Sequence, residues 1–252
     1  MARRIAELTT ESLKALLGTH AVVALVPMGS VEPHGPHLPL GTDTVISEAA
    51  ILGAATLLEA EPGRPLAALL GPAIPYGVTC FAEGFAGAIS VPSEALTAFA
   101  RAVVAGYLAS GFSHVCLVNN HLEPAHDAAV RAAVTGFPAG RASVACPLSR
   151  RWGRTLSPEF KSGACHAGRY ETSLVLAAAP GTVDTAAASA LPDLEVSLSD
   201  GIKAGQTSFL AMGLDQAYTG APARASAEEG IELLGRLATM IATEVLEGLA
   251  AT

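Results

Sequence analysis

The chain has 252 residues, a formal net charge of −8 and 50% hydrophobic against 15% charged side chains, which excludes a disordered protein and supplies ample material for a large core. An acidic balance of this size repels phosphate backbones, so nucleic acid is not an expected partner. Every apolar run is broken by charge, Gly or Pro before the roughly 18 residues a membrane span needs. Residues 1–7 also lack the form of a signal peptide, so a soluble cytoplasmic chain without a membrane role is expected, built as one domain over 1–252.

In chain order, a buried-type strand is predicted over 21–26, a helix over 45–59, a Gly- and Pro-rich loop over 71–77 and a helix over 93–110. A second apolar strand follows at 114–118, then a helix over 124–134, a strand at 142–146, a short apolar helix over 174–179 and a loop over 215–222. The C-terminal stretch 226–249 sets Ile231, Leu234, Leu237, Ile241, Val245 and Leu249 at helical spacing, opened by the capping-box pattern Ser226-x-x-Glu229. Strands alternating with helices predict an α/β fold with a mostly parallel sheet flanked by helices, whose sites form where the strands end. The four cysteines, Cys80, Cys116, Cys146 and Cys165, form no C-x-x-C pair and are expected as reduced thiols.

Directly after the first strand, residues 32–43 pack Glu32, His34, His37 and Asp43 into twelve positions, all metal-ligand types. Pro33 presses Glu32 toward an extended backbone, where residues two apart project to the same side, so Glu32 and His34 can converge. After the second strand, His121-Leu122-Glu123-Pro124 repeats the arrangement in the order His-x-Glu. A third segment, Cys165-His166-Ala167-Gly168-Arg169-Tyr170-Glu171, adds a candidate acid/base histidine at the start of a helix. Taken singly, each has an ordinary reading: Asp43 as a helix cap, Glu123 and Glu171 as first-turn acids, Cys165 as a small hydrophobe, and His20, His114 and His126 as packing residues without a role. Neighbours on a strand face opposite ways, which disfavours a Cys165–His166 dyad. Co-occurrence of Glu-x-His, a later Asp and His-x-Glu at two strand ends outweighs the separate readings.

These segments resemble the creatininase family, whose first motif Glu-Gln-His-Gly-Pro-His-Leu-Pro-Leu-x-Thr-Asp matches Glu32 to Asp43 with Pro33 replacing Gln. The resemblance runs on through residues 119–123, 166–173 and 220–225. It implies the three-layer creatininase fold and two divalent metal ions, one held by Glu32, Asp43 and His121 and a second by His34, Asp43 and Glu123, with His166 as catalytic histidine and Glu171 beside it as an orienting or catalytic group. It also implies a homo-oligomer, commonly a hexamer. Leu122 replaces an aromatic residue of the creatinine hydrolases and only Trp152 remains of their tryptophans, so creatinine itself is disfavoured as substrate. Thr79, Leu122 and Trp152 are candidates for the substrate pocket. Imidazole and carboxylate ligands suit Zn, Mn or Fe(II).

The expected activity is hydrolysis of a small, possibly cyclic, amide by metal-activated water. The alternatives are a peptidase or deformylase of a biosynthetic pathway, and a non-catalytic metal- or ligand-binding α/β protein. Dinucleotide, P-loop and nucleophile-elbow motifs are absent from the sequence.

Overall fold

In the computed structural model, which describes residues 3–63 and 65–251, a fully parallel five-stranded sheet has the order β1-β3-β2-β4-β5. The strands are β1 (Arg3–Arg4), β2 (Ala21–Met28), β3 (Leu66–Leu70), β4 (His114–Asn119) and β5 (Ala142–Ala145). Three helices, α1 (Thr10–Leu17), α3 (Ser93–Ala109) and α4 (Pro124–Val134), cover one face; α2 (Thr42–Glu59), α7 (Arg169–Ala178) and α10 (Ala227–Ala250) cover the other. Because both faces are covered, β2 is apolar along its whole length and β4 from Val115 to Val118, rather than alternating. Along β2, Val22, Ala24 and Val26 pack with Leu96, Ala100 and Val130, while Val23 and Leu25 pack with Ile46, Leu174 and Ile241.

The expected α/β layers are present, with two strands added, the two-residue β1 at the sheet edge and β3. β3 is Leu66-Ala67-Ala68-Leu69-Leu70, whose residues favour helices; parallel pairing with β2 along all five positions overrides that preference. Short helices α5 (Arg150–Gly153), α6 (Pro158–Ser162), α8 (Thr185–Ala190) and α9 (Leu198–Lys203) interrupt stretches too brief to show a period. At the start of α10, Ser226 Oγ accepts the N–H of Glu229 as expected, but the Glu229 carboxylate reaches Arg169 and Ser173 instead of closing the box.

Strand order creates the site. From β2 the chain crosses to β3 on one side, and from β3 it returns to β4 on the other, so the loops leaving β2 and β4 diverge and open a crevice at their C-terminal ends. At the end of β2, Gly29 lies so close to α2 that a Cβ there would stand 2.4 Å from Thr44 Oγ1, an approach that sets the loop after β2 against the first turn of α2. Among the described residues, no helix is long and apolar enough to cross a membrane.

Helix α10 crosses α7 at Gly230, where an added Cβ would lie 1.9 Å from the Ser173 carbonyl oxygen. Gly230→Ala should therefore destabilise the chain by about 1–3 kcal/mol. Gly235→Ala on the same helix, where a Cβ meets nothing within 4 Å, should stabilise it by about 0.5–1 kcal/mol. Urea unfolding midpoints moving in opposite directions would bear out this packing.

Candidate metal centre

Four loops and helix starts converge in the crevice. Glu32 and His34 come from the loop after β2, Asp43 from the first turn of α2, His121 from the loop after β4, and His166 and Glu171 from the turn into α7. All six are buried, with His34 wholly inaccessible. Asn119 and Asn120 hold the β4 end: Asn119 Oδ1 accepts the His121 N–H, and Asn120 Nδ2 donates to Ser47 Oγ on α2.

Backbone carbonyls orient the three histidines. His121 Nε2 lies 2.7 Å from the Val78 carbonyl oxygen, His34 Nδ1 lies 3.1 Å from that of Glu32, and His166 Nε2 lies 3.0 Å from that of Pro33. A carbonyl only accepts, so each of these nitrogens donates its hydrogen and the opposite nitrogen of a neutral ring presents a lone pair. Those inner nitrogens face carboxylates. His121 Nδ1 is 3.1 Å from Glu32 Oε1 and 3.0 Å from Asp43 Oδ2; His34 Nε2 is 3.2 Å from Asp43 Oδ1, 3.6 Å from Glu171 Oε2 and 3.7 Å from Glu32 Oε1. Asp43 thus turns one oxygen to each histidine. His34 Nε2 and Asp43 Oδ2 are buried without a hydrogen-bond partner.

Lone pairs set against carboxylate oxygens repel unless a cation lies between them. The ligand-type atoms of Glu32, Asp43 and His121, of His34, Asp43 and Glu171, and of Glu32, His34 and His166 each form a group whose members lie within 4.8 Å of one another. This donor set fits divalent cations with a taste for imidazole and carboxylate. Without a cation, a proton answers the same field. Burial opposes charging His34, but Asp43, Glu171 and Glu32 outweigh it and push its pKa up to about 10. Burial likewise opposes ionising Glu32, but His121 holds it down at about 2, and Asp43 is held low by His121 and His34. Burial drives Glu171 up to about 8, partly countered by His34.

Glu123, expected beside His34 and Asp43, is turned elsewhere: its carboxylate accepts the N–H groups of Cys80 at 3.1 Å and Phe81 at 3.2 Å. Glu171 occupies the corresponding place near His34, and it accepts the Ala167 N–H rather than touching His166. Ala167, whose φ of 50° is unusual for a residue with a side chain, makes the turn between His166 and the start of α7. Thr79 does not line the cavity; it is buried and donates to Glu32 Oε2. Trp152 also lies outside the cavity, because its indole N–H donates to Glu244 at 2.5 Å and its ring packs in the core beside α10. Leu122 does line it. Cys165 is half-buried and burial pushes its thiol pKa up, which disfavours the reactive thiolate.

The cluster opens into a cavity of about 510 Å³ with Glu32, His121, His166 and Glu171 at its inner end and Phe81, Leu122, Phe160 and Phe209 among its walls. Phe209 stacks on His166 with ring centroids 4.4 Å apart. Together with desolvation, His34 nearby lowers the His166 pKa to about 4, so its imidazole stays neutral. Sequence reasoning missed Phe209, which belongs to a separate apolar cluster with Ala82, Met212 and Leu214, and the edge-on packing of His126 against His121 at 4.6 Å. Neither carries a local motif; both depend on tertiary contacts.

Residues 6–245 match the profile of the family described as Creatininase: Creatinine amidohydrolase. The chain belongs to the creatininase family. A curated relative from Mycobacterium ulcerans (strain Agy99), "Mycofactocin precursor peptide peptidase", is 33% identical over 254 residues, covering 95% of this chain and 84% of the relative. Among solved structures, one described as "Creatininase Mn" superposes with a TM-score of 0.74 at 20% identity over 99% of both chains, and a mutant creatininase of "Zn-Zn type" gives the same score, identity and coverage. These structural matches carry the creatininase fold to this chain, and the family is one of hydrolases.

Because the folded-state pKa values of His34 and Glu171 are both raised, the stability they contribute to the metal-free chain is present at lower pH. It is lost as pH rises through about 8 and then about 10. With chelator present, the thermal midpoint should therefore fall between pH 7 and pH 10. With excess Mn²⁺ or Zn²⁺, which competes with the His34 proton for the same nitrogen, that decline should be largely removed. Parallel midpoint-versus-pH curves with and without cation would contradict this account.

Proposed function

We propose that this creatininase-family chain hydrolyses amide bonds in short peptides or amides of peptide size, with divalent cations held by Glu32, His34, Asp43 and His121 and a proton carried by His166. The observation that carries this reading is that the inward lone pairs and carboxylates meet at the inner end of an open, largely apolar cavity. A purely structural metal site would be closed all round.

One cation is assigned to Glu32, Asp43 and His121, and a second to His34 and Asp43 with one further carboxylate. Glu171 supplies that carboxylate as the side chains stand; Glu123 supplies it on giving up its two backbone N–H donors. When bound, such ions lower the pKa of water and polarise an amide carbonyl. The rest of the work falls to protein groups. Val78, Glu32 and Pro33 carbonyls hold the three imidazoles in single orientations, so no reorganisation is needed during reaction. Thr79 fixes the second oxygen of Glu32. His166, anchored through Nε2 and stacked on Phe209, keeps Nδ1 free to take a proton from the attacking water and deliver it to the leaving nitrogen. Phe81, Leu122 and Phe160 receive the apolar part of the substrate and exclude water.

A cavity of about 510 Å³ and the likeness to a peptide peptidase favour a peptide over a single small cyclic amide. The cyclic amide remains the second reading, favoured by the fold shared with creatininases.

His34→Ala should abolish hydrolysis and reduce tightly held metal. His166→Ala should retain metal and lower kcat by about 10²- to 10⁴-fold. Metal analysis paired with turnover on short peptides, N-formyl compounds and cyclic amides checks both; full activity in a metal-free His34→Ala protein would overturn the proposal.

A further inference from the structure

Among the described residues, most Lys and Arg side chains have a partner. Arg3, Lys14, Arg131, Arg151, Arg169, Lys203, Arg224 and Arg236 pair with carboxylates, and Arg101 and Arg141 donate to backbone carbonyls. The exceptions are Arg4, Arg150, Arg154 and Lys161, and all but Arg4 line the cavity that ends at His121 and His166. Arg150 and Arg154 stand four residues apart, at the start of α5 and just past its end, and so share one side of that turn; Lys161 is on α6. All three side chains are exposed. A lone surface cation is ordinarily just solvated. Three unpaired ones gathered at one cavity, in a chain of net charge −8, call for a ligand of opposite sign.

We propose that Arg150, Arg154 and Lys161 form an anion-binding rim that selects amide substrates carrying a carboxylate at a distance from the bond to be cleaved. The inference rests on the hydrolase reading of the site and names its substrate class: an apolar peptide-like body with an acidic end. Phe81, Leu122, Phe160 and Phe209 lie in the same cavity and accept the apolar body. The rim accepts the carboxylate, which guanidinium groups bind through two parallel hydrogen bonds. Such a rim also offsets the repulsion that the carboxylates of Glu32, Glu123 and Glu171 exert on an approaching anion. The carboxylate comes either from the end of a peptide chain or from an acidic side chain.

The test uses metal-loaded protein and three peptides: Ala-Leu-Phe as free acid, the same peptide as its C-terminal amide, and Ala-Leu-Phe-Glu amide. Calorimetric titration reads binding and mass spectrometry reads hydrolysis. The free acid should bind about tenfold tighter than the neutral amide, and this ratio should fall toward one in Arg150→Glu/Arg154→Glu and at about 0.5 M salt. The control Lys14→Ala, on the exposed side of α1, should keep it. Tight binding of the glutamyl peptide assigns an acidic side chain as a source, and tight binding of the free acid alone assigns the chain terminus. Equal or undetectable binding of acid and amide, or a ratio that survives the double substitution, overturns the rim. A charge preference without hydrolysis of any peptide keeps the rim and removes the hydrolase reading; hydrolysis without a preference does the reverse.

Discussion

Asp43 presents its two carboxylate oxygens to two imidazole nitrogens, His34 at 3.2 Å and His121 at 3.0 Å, with Glu32 wedged against both rings. Backbone carbonyls on the far side of each ring take the only hydrogen a neutral histidine carries, leaving electron pairs pointed at electron pairs in a buried volume. Such an arrangement is stable only around positive charge, whether a proton or a metal. Proton affinity at His34, the reluctance of Glu171 to ionise and the fit of the donor set to divalent cations are three expressions of that single constraint.

The fold is arranged to bring about this crowding. Loops leaving β2 and β4 separate at the switch in strand order, and the close approach at Gly29 brings α2 forward so that Asp43 reaches both. On the far side, the segment after β3 delivers the Val78 carbonyl, Thr79 and the Cys80 and Phe81 N–H groups, which orient His121, Glu32 and Glu123 respectively. Helix α7 closes the ring with Glu171 in its first turn. The cost of burying so many polar groups is offset by two apolar layers around a sheet that is itself almost wholly apolar.

Much of this was legible in the amino acids, and the boundary of legibility is physical. Strands β2 and β4 announced themselves as continuous apolar runs, and Glu32, His34, Asp43 and His121 as ligand types packed behind them; the structure brings these four together. Strand β3 was hidden because Leu-Ala-Ala-Leu-Leu has no strand preference of its own and depends on β2 for its conformation. The place of Glu171 beside His34 was equally hidden. Glu123 and Glu171 are both carboxylates near a helix start, and only the Cys80 and Phe81 N–H groups, remote in sequence, decide which one turns away. Trp152 was a candidate for its residue type alone, and Glu244 on α10 claims its indole N–H.

Anomalous diffraction from crystals grown with Mn²⁺ or Zn²⁺ tests the central claim most directly. The account predicts scattering peaks on both sides of the Asp43 carboxylate, one at roughly 2.0–2.2 Å from His121 Nδ1 and one at a similar distance from His34 Nε2. Peaks confined to other parts of the molecule, or hydrogen-bonded water in place of metal between Asp43 and both histidines, would contradict it.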